Sequence, residues 1–249
     1  MEVCPLKIRI FVILLFLSFQ VYADSNLDDV LTLYTKAAGG KEAIEKVRSI
    51  EFSLTIQEPK LSVDAVYYAD RNIRMRIDIF SQGKRVFTEA FDGKAGWEMG
   101  EDGKAKDASA QATAALRNGI FLPGKLFGLH ELPNLGHKLS YEGREDVDGV
   151  SYHILKITLD SGFEKFLYIN PDNGRIERTR DYRALHVDID PTKKINESIA
   201  SDFRKVDGLL FAFKSEDRDK TTNEVMQTTT VKEIKLNPKI EDGIFNKPK

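Results

Sequence analysis

From Ile50 onward, apolar residues fall at every second position. Ile50, Phe52, Leu54 and Ile56 alternate with Glu51, Ser53, Thr55 and Gln57, and Ile73, Met75, Ile77 and Ile79 alternate with Arg74, Arg76 and Asp78. Successive side chains of a β-strand point to opposite faces, so this spacing dictates strands with one apolar and one polar face. Turn dipeptides then punctuate the chain: Gln82-Gly83, Asp92-Gly93, Asp102-Gly103, Asp148-Gly149, Ser161-Gly162, Asn173-Gly174 and Asp207-Gly208. Glycine supplies the positive φ of a tight hairpin, and the series reads as one antiparallel meander of about eleven strands, ending with Val225–Leu236. A single sheet of that width must curl or close.

Closure as an outer-membrane barrel is excluded by charge. Arg74, Arg76 and Asp78 share one face of a strand, as do Arg175, Glu177 and Thr179 on another. Each charge facing the bilayer midplane costs ~2–4 kcal/mol. The charged faces therefore meet water and the apolar faces look inward. The expected fold class is mainly β: a curved, open antiparallel sheet with an apolar concave face and a few short covering helices. No linker or composition break divides residues 24–249, so they are read as a single domain.

The first residues set the compartment. Lys7 and Arg9 precede the apolar run from Ile10 to Phe19, and Val21-Tyr22-Ala23 offers a small-residue cleavage site. This predicts a secretory signal peptide over residues 1–23, cleaved after Ala23. Ser18 and Gln20 break the run before the ~20 residues that a membrane span requires. The expectation is an exported chain that is neither anchored nor membrane-spanning. Cleavage removes Cys4, the one cysteine of the sequence, so no disulfide or thiolate chemistry is left. A net charge of −2, changed by one unit on cleavage, gives no footprint for nucleic acid.

Helical spacing precedes the strands. Leu27, Val30, Leu31 and Tyr34 form one apolar stripe, with Ser25 and Asp28 as a start signal. After Gly39-Gly40, the stripe resumes at Ala43, Ile44 and Val47. Alanine-rich Asp107–Asn118, with Gly119 beyond it, reads as a further helix. A loop follows with five large apolar residues, Ile120, Phe121, Leu122, Leu126 and Phe127. A second long loop is expected from His186 to Ser198.

Chemical motifs are scarce. "AAGGKEA" lacks the first glycine and the Ser/Thr of a phosphate-binding loop and follows a helix, so its glycines read as a break between helices. In "HVDID", His186, Asp188 and Asp190 would share a face of an extended segment and could hold a divalent ion; a solvated face is the alternative. No nucleophile elbow, zinc-protease helix or dinucleotide turn is present, and the chain is read as a non-enzyme without cofactor or metal. Trp97 is either a core aromatic or a wall of a ligand cavity.

Several segments together, in matching order, resemble the LolA-type outer-membrane lipoprotein-sorting carriers of the periplasm. They are "AAGGKEAIEKVRSIEF", "YYADRNIRMRID", "FDGKAGWEM", "SDFRKVDGLLFAFKSED" and "VKEIKLNPKIEDGIFNKP". The resemblance implies an open half-barrel of about eleven antiparallel strands capped by short helices. It also implies a function, the transit of lipoprotein acyl chains between membranes. The expected ligand-binding cavity is lined by Phe52, Leu54, Ile56, Met75, Ile77, Ile79, Trp97, Phe121, Leu122, Leu126 and Phe127, and "DGKAGW" matches the carriers' segment around Trp97. The expected lid and hinge are Leu31, Tyr34, Gly39, Gly40 and Arg71. In the carriers an arginine in a Lys-Arg-Pro-like turn bonds the lid. Arg71 matches it, with Asp70 and Asn72 replacing its neighbours; a solvated hairpin arginine is the other reading. The implied partners are lipoprotein or lipid acyl chains, an inner-membrane release complex and an outer-membrane acceptor. The alternative function is a lipid-sensing regulatory domain of the same fold that contacts a signalling partner.

Overall fold

The computed structural model describes residues 26–124 and 126–249; the expected signal peptide lies outside them. Among the described residues, thirteen strands form one sheet. They are β1 Ser49–Glu58, β2 Leu61–Asp70, β3 Arg74–Ser81, β4 Lys84–Phe91, β5 Gly96–Met99, β6 Ala105–Asp107, β7 Lys138–Val147, β8 Val150–Thr158, β9 Glu164–Ile169, β10 Ile176–Arg183, β11 Lys194–Val206, β12 Leu209–Asp219 and β13 Val225–Leu236. Thirteen replaces the expected count of about eleven. A strand of three residues such as β6 offers no alternation to read.

The order across the sheet is β6-β5-β4-β3-β2-β1-β13-β12-β11-β10-β9-β8-β7. Two meanders, β1 to β6 and β7 to β13, are joined where the first and last strands pair, Phe52 lying opposite Ile234. The outer strands β6 and β7 do not pair with each other, so the sheet is open. Three two-residue turns, Gln82-Gly83, Asp148-Gly149 and Asp207-Gly208, have positive φ at both residues. That backbone matches the right-handed twist of the flanking strands and fixes their register.

The helices are α1 Leu27–Ala38, α2 Lys41–Glu45 and α3 Ala110–Ile120, with a 3₁₀ helix at Leu129–Leu135. Asn26 caps α1 by accepting the Asp29 amide at 2.9 Å; Ser25 lies outside the described residues. Helix α3 starts later than expected. Ser109 caps it through the Ala112 amide, Asp107 ends β6, and Gly119 lies within the last turn. Among the described residues no helix is long and apolar enough to cross a membrane.

One core fills the space between the concave face and the helices. The register carries it across the strands: Phe52 lies opposite Tyr67, Tyr67 opposite Ile77, and Ala69 opposite Met75. The Phe52 ring meets the Phe211 ring edge-on at 6.0 Å. Val30, Tyr34 and Ile44 complete this core from the helices.

The convex face is covered only in part. Over β3 lies a 3₁₀ turn at Asp242–Phe245. Arg74 pairs with Asp242 at 2.8 Å, and Arg76 donates to the Ile244 carbonyl at 2.8 Å. The charged face that rules out a barrel thus binds the C-terminal segment.

Candidate functional site

The concave face changes character along its strands. On β12 the inward residues run Leu209, Phe211, Phe213 and then Ser215, Asp217, Asp219; on β9, Ile169 and Leu167 give way to Lys165. At the polar end, Asp181 on β10 lies between Lys165 and Asn196. It accepts from Lys165 at 2.5 Å and from Asn196 at 3.2 Å. Burial pushes its carboxyl up, but Lys165 and Arg183 outweigh that and hold it below the usual range.

The apolar end is covered. α1, α2, residues 126–128 and the 3₁₀ helix bury Val30, Tyr34, Ile44, Leu126, Phe127 and Leu132 against it. Burial raises the Tyr34 hydroxyl pKa to about 12. A hollow of about 30 Å³ is left between Tyr34, Ile44, Phe127 and Phe211. It has room for about one water and none for an acyl chain. The helices and loop thus close over the apolar end of the concave face.

Arg71, in the β2–β3 turn, fastens them. Its Nε donates to the Val47 carbonyl at 2.5 Å, and Nη2 donates to the carbonyls of Ile44 at 3.0 Å and Leu126 at 3.3 Å. Nη1 pairs with Glu131 at 2.5 Å, and the guanidinium lies 4.9 Å from the Phe127 ring centre. One side chain thus joins α2, the loop and the 3₁₀ helix to the sheet. Of the two readings of Arg71 in the sequence, the solvated one does not hold. Glu131 also accepts the Gly128 amide at 2.8 Å. Burial pushes its carboxyl up, but Arg71 and that amide outweigh it and hold it below the ordinary range.

The two glycines separate α1 from α2, with φ of 123° at Gly39 and 94° at Gly40. A Cβ on Gly39 would lie 2.7 Å from the Gly208 carbonyl oxygen, whereas one on Gly40 would meet open space. Lys41 is exposed and faces Glu45 at 3.9 Å.

The remaining expected residues divide. Phe52, Leu54, Met75, Phe121, Leu126 and Phe127 are buried in the core beneath the lid, and Leu31, Ile56, Ile77 and Ile79 are partly buried against it. Leu122 is half-buried and outside the core. Trp97 is corrected. Phe91 lies opposite Gly96 and Ala90 opposite Trp97, which puts the indole on the convex face. There it is 1% exposed, packs with Ala90 and Met99, and donates to the Phe245 carbonyl at 2.8 Å.

The loop expected over 186–198 is also corrected, because β11 already begins at Lys194. Its polar residues Asn196 and Glu197 are buried as partners of Asp181, Arg178 and Arg180. Nor is "HVDID" extended, since the amides of Ile189 and Asp190 both donate to the His186 carbonyl. His186 turns to Glu58 at 2.8 Å and Asp188 accepts from Ser109 at 2.6 Å, so the loop straps the polar end of the concave face.

Sequence reasoning missed Leu209, Phe211 and Phe213, whose alternation after Asp207-Gly208 was available as a signal. It also missed Leu155, Ile157, Leu167 and Glu131.

Solved structures share this architecture. A LolA superfamily protein from Nitrosomonas europaea superimposes with a TM-score of 0.59 at 14% identity, covering 89% of this chain and 98% of that one. The fold is LolA-like. A DUF1329 family protein from Desulfovibrio piger gives 0.57 at 11% identity, over 89% and 98% of the two chains. A domain assigned as an outer membrane lipoprotein-sorting protein from Vibrio parahaemolyticus gives 0.54 at 10% identity, over 87% and 95%. These likenesses concern the LolA-like fold. By sequence the chain matches no family model and no curated protein.

Proposed function

We propose that the protein is a periplasmic carrier that takes up acyl chains, those of lipoproteins among them, on its concave face and ferries them between membranes. The observation that carries this reading is the lid: an apolar face covered by separate short helices that one arginine pins to the sheet. Contacts gathered on one side chain can be released together, as a face that opens for cargo requires. The energetics fit. Each methylene withdrawn from lipid needs ~0.8 kcal/mol of replacement burial, so a fourteen-carbon chain needs roughly 10 kcal/mol, which calls for an enclosed apolar surface. The lipoprotein-sorting assignment of the Vibrio structure is in keeping with this cargo. An inner-membrane release complex and an outer-membrane acceptor are the partners such a cycle requires, and the reading includes no catalytic step.

The test is mass spectrometry of lipids extracted from the purified protein, followed by transfer of a labelled lipoprotein from donor to acceptor vesicles. Recovery of acyl species and transfer are expected. No acyl species and no uptake of added lipid would overturn the proposal, and uptake without transfer would make the protein a lipid sensor instead of a carrier.

A further inference from the structure

The concave face has a second closure, at the end of the strands away from the lid. β1 starts at Ser49, two residues beyond the Val47 carbonyl that Arg71 holds. It ends at Glu58, where His186 of the β10–β11 loop meets it at 2.8 Å. The ten residues of β1 span ~30 Å at the rise of a strand, so lifting the lid leaves the far end as it was.

Residues 184–193 leave β10 and reach two other elements before the chain returns as β11. Nothing apolar holds this strap down: none of its residues is buried, and Ile189 at the tip is 86% exposed. Two side chains fasten it instead, His186 to Glu58 and Asp188 to the Ser109 hydroxyl at 2.6 Å. The same hydroxyl accepts the Ala112 amide at 3.0 Å, so one oxygen caps α3 and holds the strap. The strap also lies within electrostatic reach of β4. Glu89 stands opposite Ile77 and therefore on the concave face. Burial and then Glu98 push its carboxyl above the ordinary range, with His186 opposing and Asp188 adding to the rise. The loop thus passes over the concave mouth.

The tip carries its own fold. The Ile189 and Asp190 amides both donate to the His186 carbonyl, at 3.0 and 2.8 Å, and Asp190 accepts the Thr192 amide at 3.0 Å. Pro191 has no amide to give to a ladder. A segment closed on itself and tied to the body by two exposed polar bonds can swing as a unit, with no loss to the sheet or the core.

The end that it crosses is the polar one. Asp181, Asn196 and Asp219 lie side by side there on β10, β11 and β12. A long amphiphile fits this gradient in one sense only, hydrocarbon end toward the lid and polar end toward the strap. Reversal would bury its polar end without partners. Loading tail-first in that sense leads past the strap.

We propose that residues 184–193 are a gate at the polar end of the concave face, through which an acyl chain enters and leaves, while the lid makes room for it. The inference rests on the carrier reading and adds the route of the cargo.

The test uses the full-length mature protein, whose sequence beyond residue 23 contains no cysteine. In Glu58→Cys/His186→Cys the two thiols are joined by a short bis-methanethiosulfonate bridge, which dithiothreitol removes. Uptake of a fluorescent fatty acid should slow roughly tenfold or more in the bridged protein and recover on reduction. Adding Arg71→Ala should not restore it while the bridge is in place. Unchanged uptake across the bridge, or rescue by Arg71→Ala, would make the lid the door and overturn the gate while the carrier reading stands. A second variant needs no bridge. In the loaded protein the cargo already holds the lid off, so Asp188→Ala, which breaks the bond to Ser109, should speed release of the fatty acid roughly tenfold and leave the exchange protection of α2 in the free protein as it was. Unchanged release would overturn the gate as well. If neither the wild type nor the reduced double variant binds the fatty acid, the carrier reading falls and the gate with it.

Discussion

Replacing Arg71 by alanine isolates the lid. The substitution removes donors from three carbonyls and from Glu131 and takes a cation off the Phe127 ring. Breaking a buried ion pair costs ~3–5 kcal/mol, because the surviving charge is left uncompensated. Here the two side chains are 16% and 15% exposed, and Glu131 keeps its bond from the Gly128 amide, which lowers the figure to ~2–4 kcal/mol. The loss falls on the closed arrangement alone, since a lifted lid exposes the same groups to water. At 1.4 kcal/mol per factor of ten, the open fraction should rise roughly 30- to 700-fold. Hydrogen exchange reads this directly: amides of α2 and of residues 126–132 should lose protection by that factor, while β12 and β13 keep theirs. Uptake of a fluorescent fatty acid should accelerate in parallel. Arg71→Lys should fall between, because an ammonium cannot reach all four acceptors. Equal loss of protection over the lid and the central strands would refute the reasoning and make Arg71 a pin of the whole fold. Acid probes the same pair. The Glu131 carboxyl is held below its ordinary value, so its contribution is complete above the ordinary carboxylate range and is lost only as pH falls through the lowered value. The lid should stay closed at pH 5 and loosen only below the ordinary carboxylate range.

Three further outcomes follow. Trp97→Ala should destabilise the protein by ~3–5 kcal/mol in urea, through the cavity it leaves, yet leave fatty-acid affinity intact in the folded fraction, whereas Ile77→Asp should abolish uptake. Gly39→Ala should cost more than Gly40→Ala in the same denaturation assay: both force a side chain into positive φ, at ~1 kcal/mol or more, but only Gly39 also drives a Cβ into the Gly208 carbonyl. His137 and His153 are held below the usual imidazole value by burial, so both contribute stability fully above about pH 6.5 that is lost as pH falls through their lowered values. The melting temperature should therefore drop between pH 7 and 5, and His137→Asn should flatten that profile; an unchanged slope would remove His137 as its source.

The first half of the sheet was legible because alternation is strict along Ser49–Gln57 in β1 and over Arg74–Ile79 in β3, and a buried face enforces it. Trp97 was misplaced for the converse reason. β5 has four residues, too few to fix a face, and a one-residue slip exchanges the faces. Lys194–Ser198 read as loop because four of its five side chains are polar, yet Asn196 and Glu197 are buried by a polar network whose other members lie on other strands. Glu131 gave no local signal at all. Its role depends on Arg71, sixty positions away, and is set by how the chain crosses the concave face.

The closed lid has a consequence for selectivity. Val30, Tyr34 and Phe127 already occupy the surface that a cargo chain would use, so the protein competes with its own cargo. Undocking them is a fixed cost, the same for every ligand, while the return grows by ~0.8 kcal/mol with each methylene buried. Affinity then has a threshold in chain length: the ~2–4 kcal/mol of the Arg71 contacts alone cancels the first three to five carbons. Short amphiphiles and isolated detergent tails fall below it. Long or multiply acylated molecules clear it with room to spare, so the proposed carrier would discriminate by chain length without any head-group recognition inside the pocket.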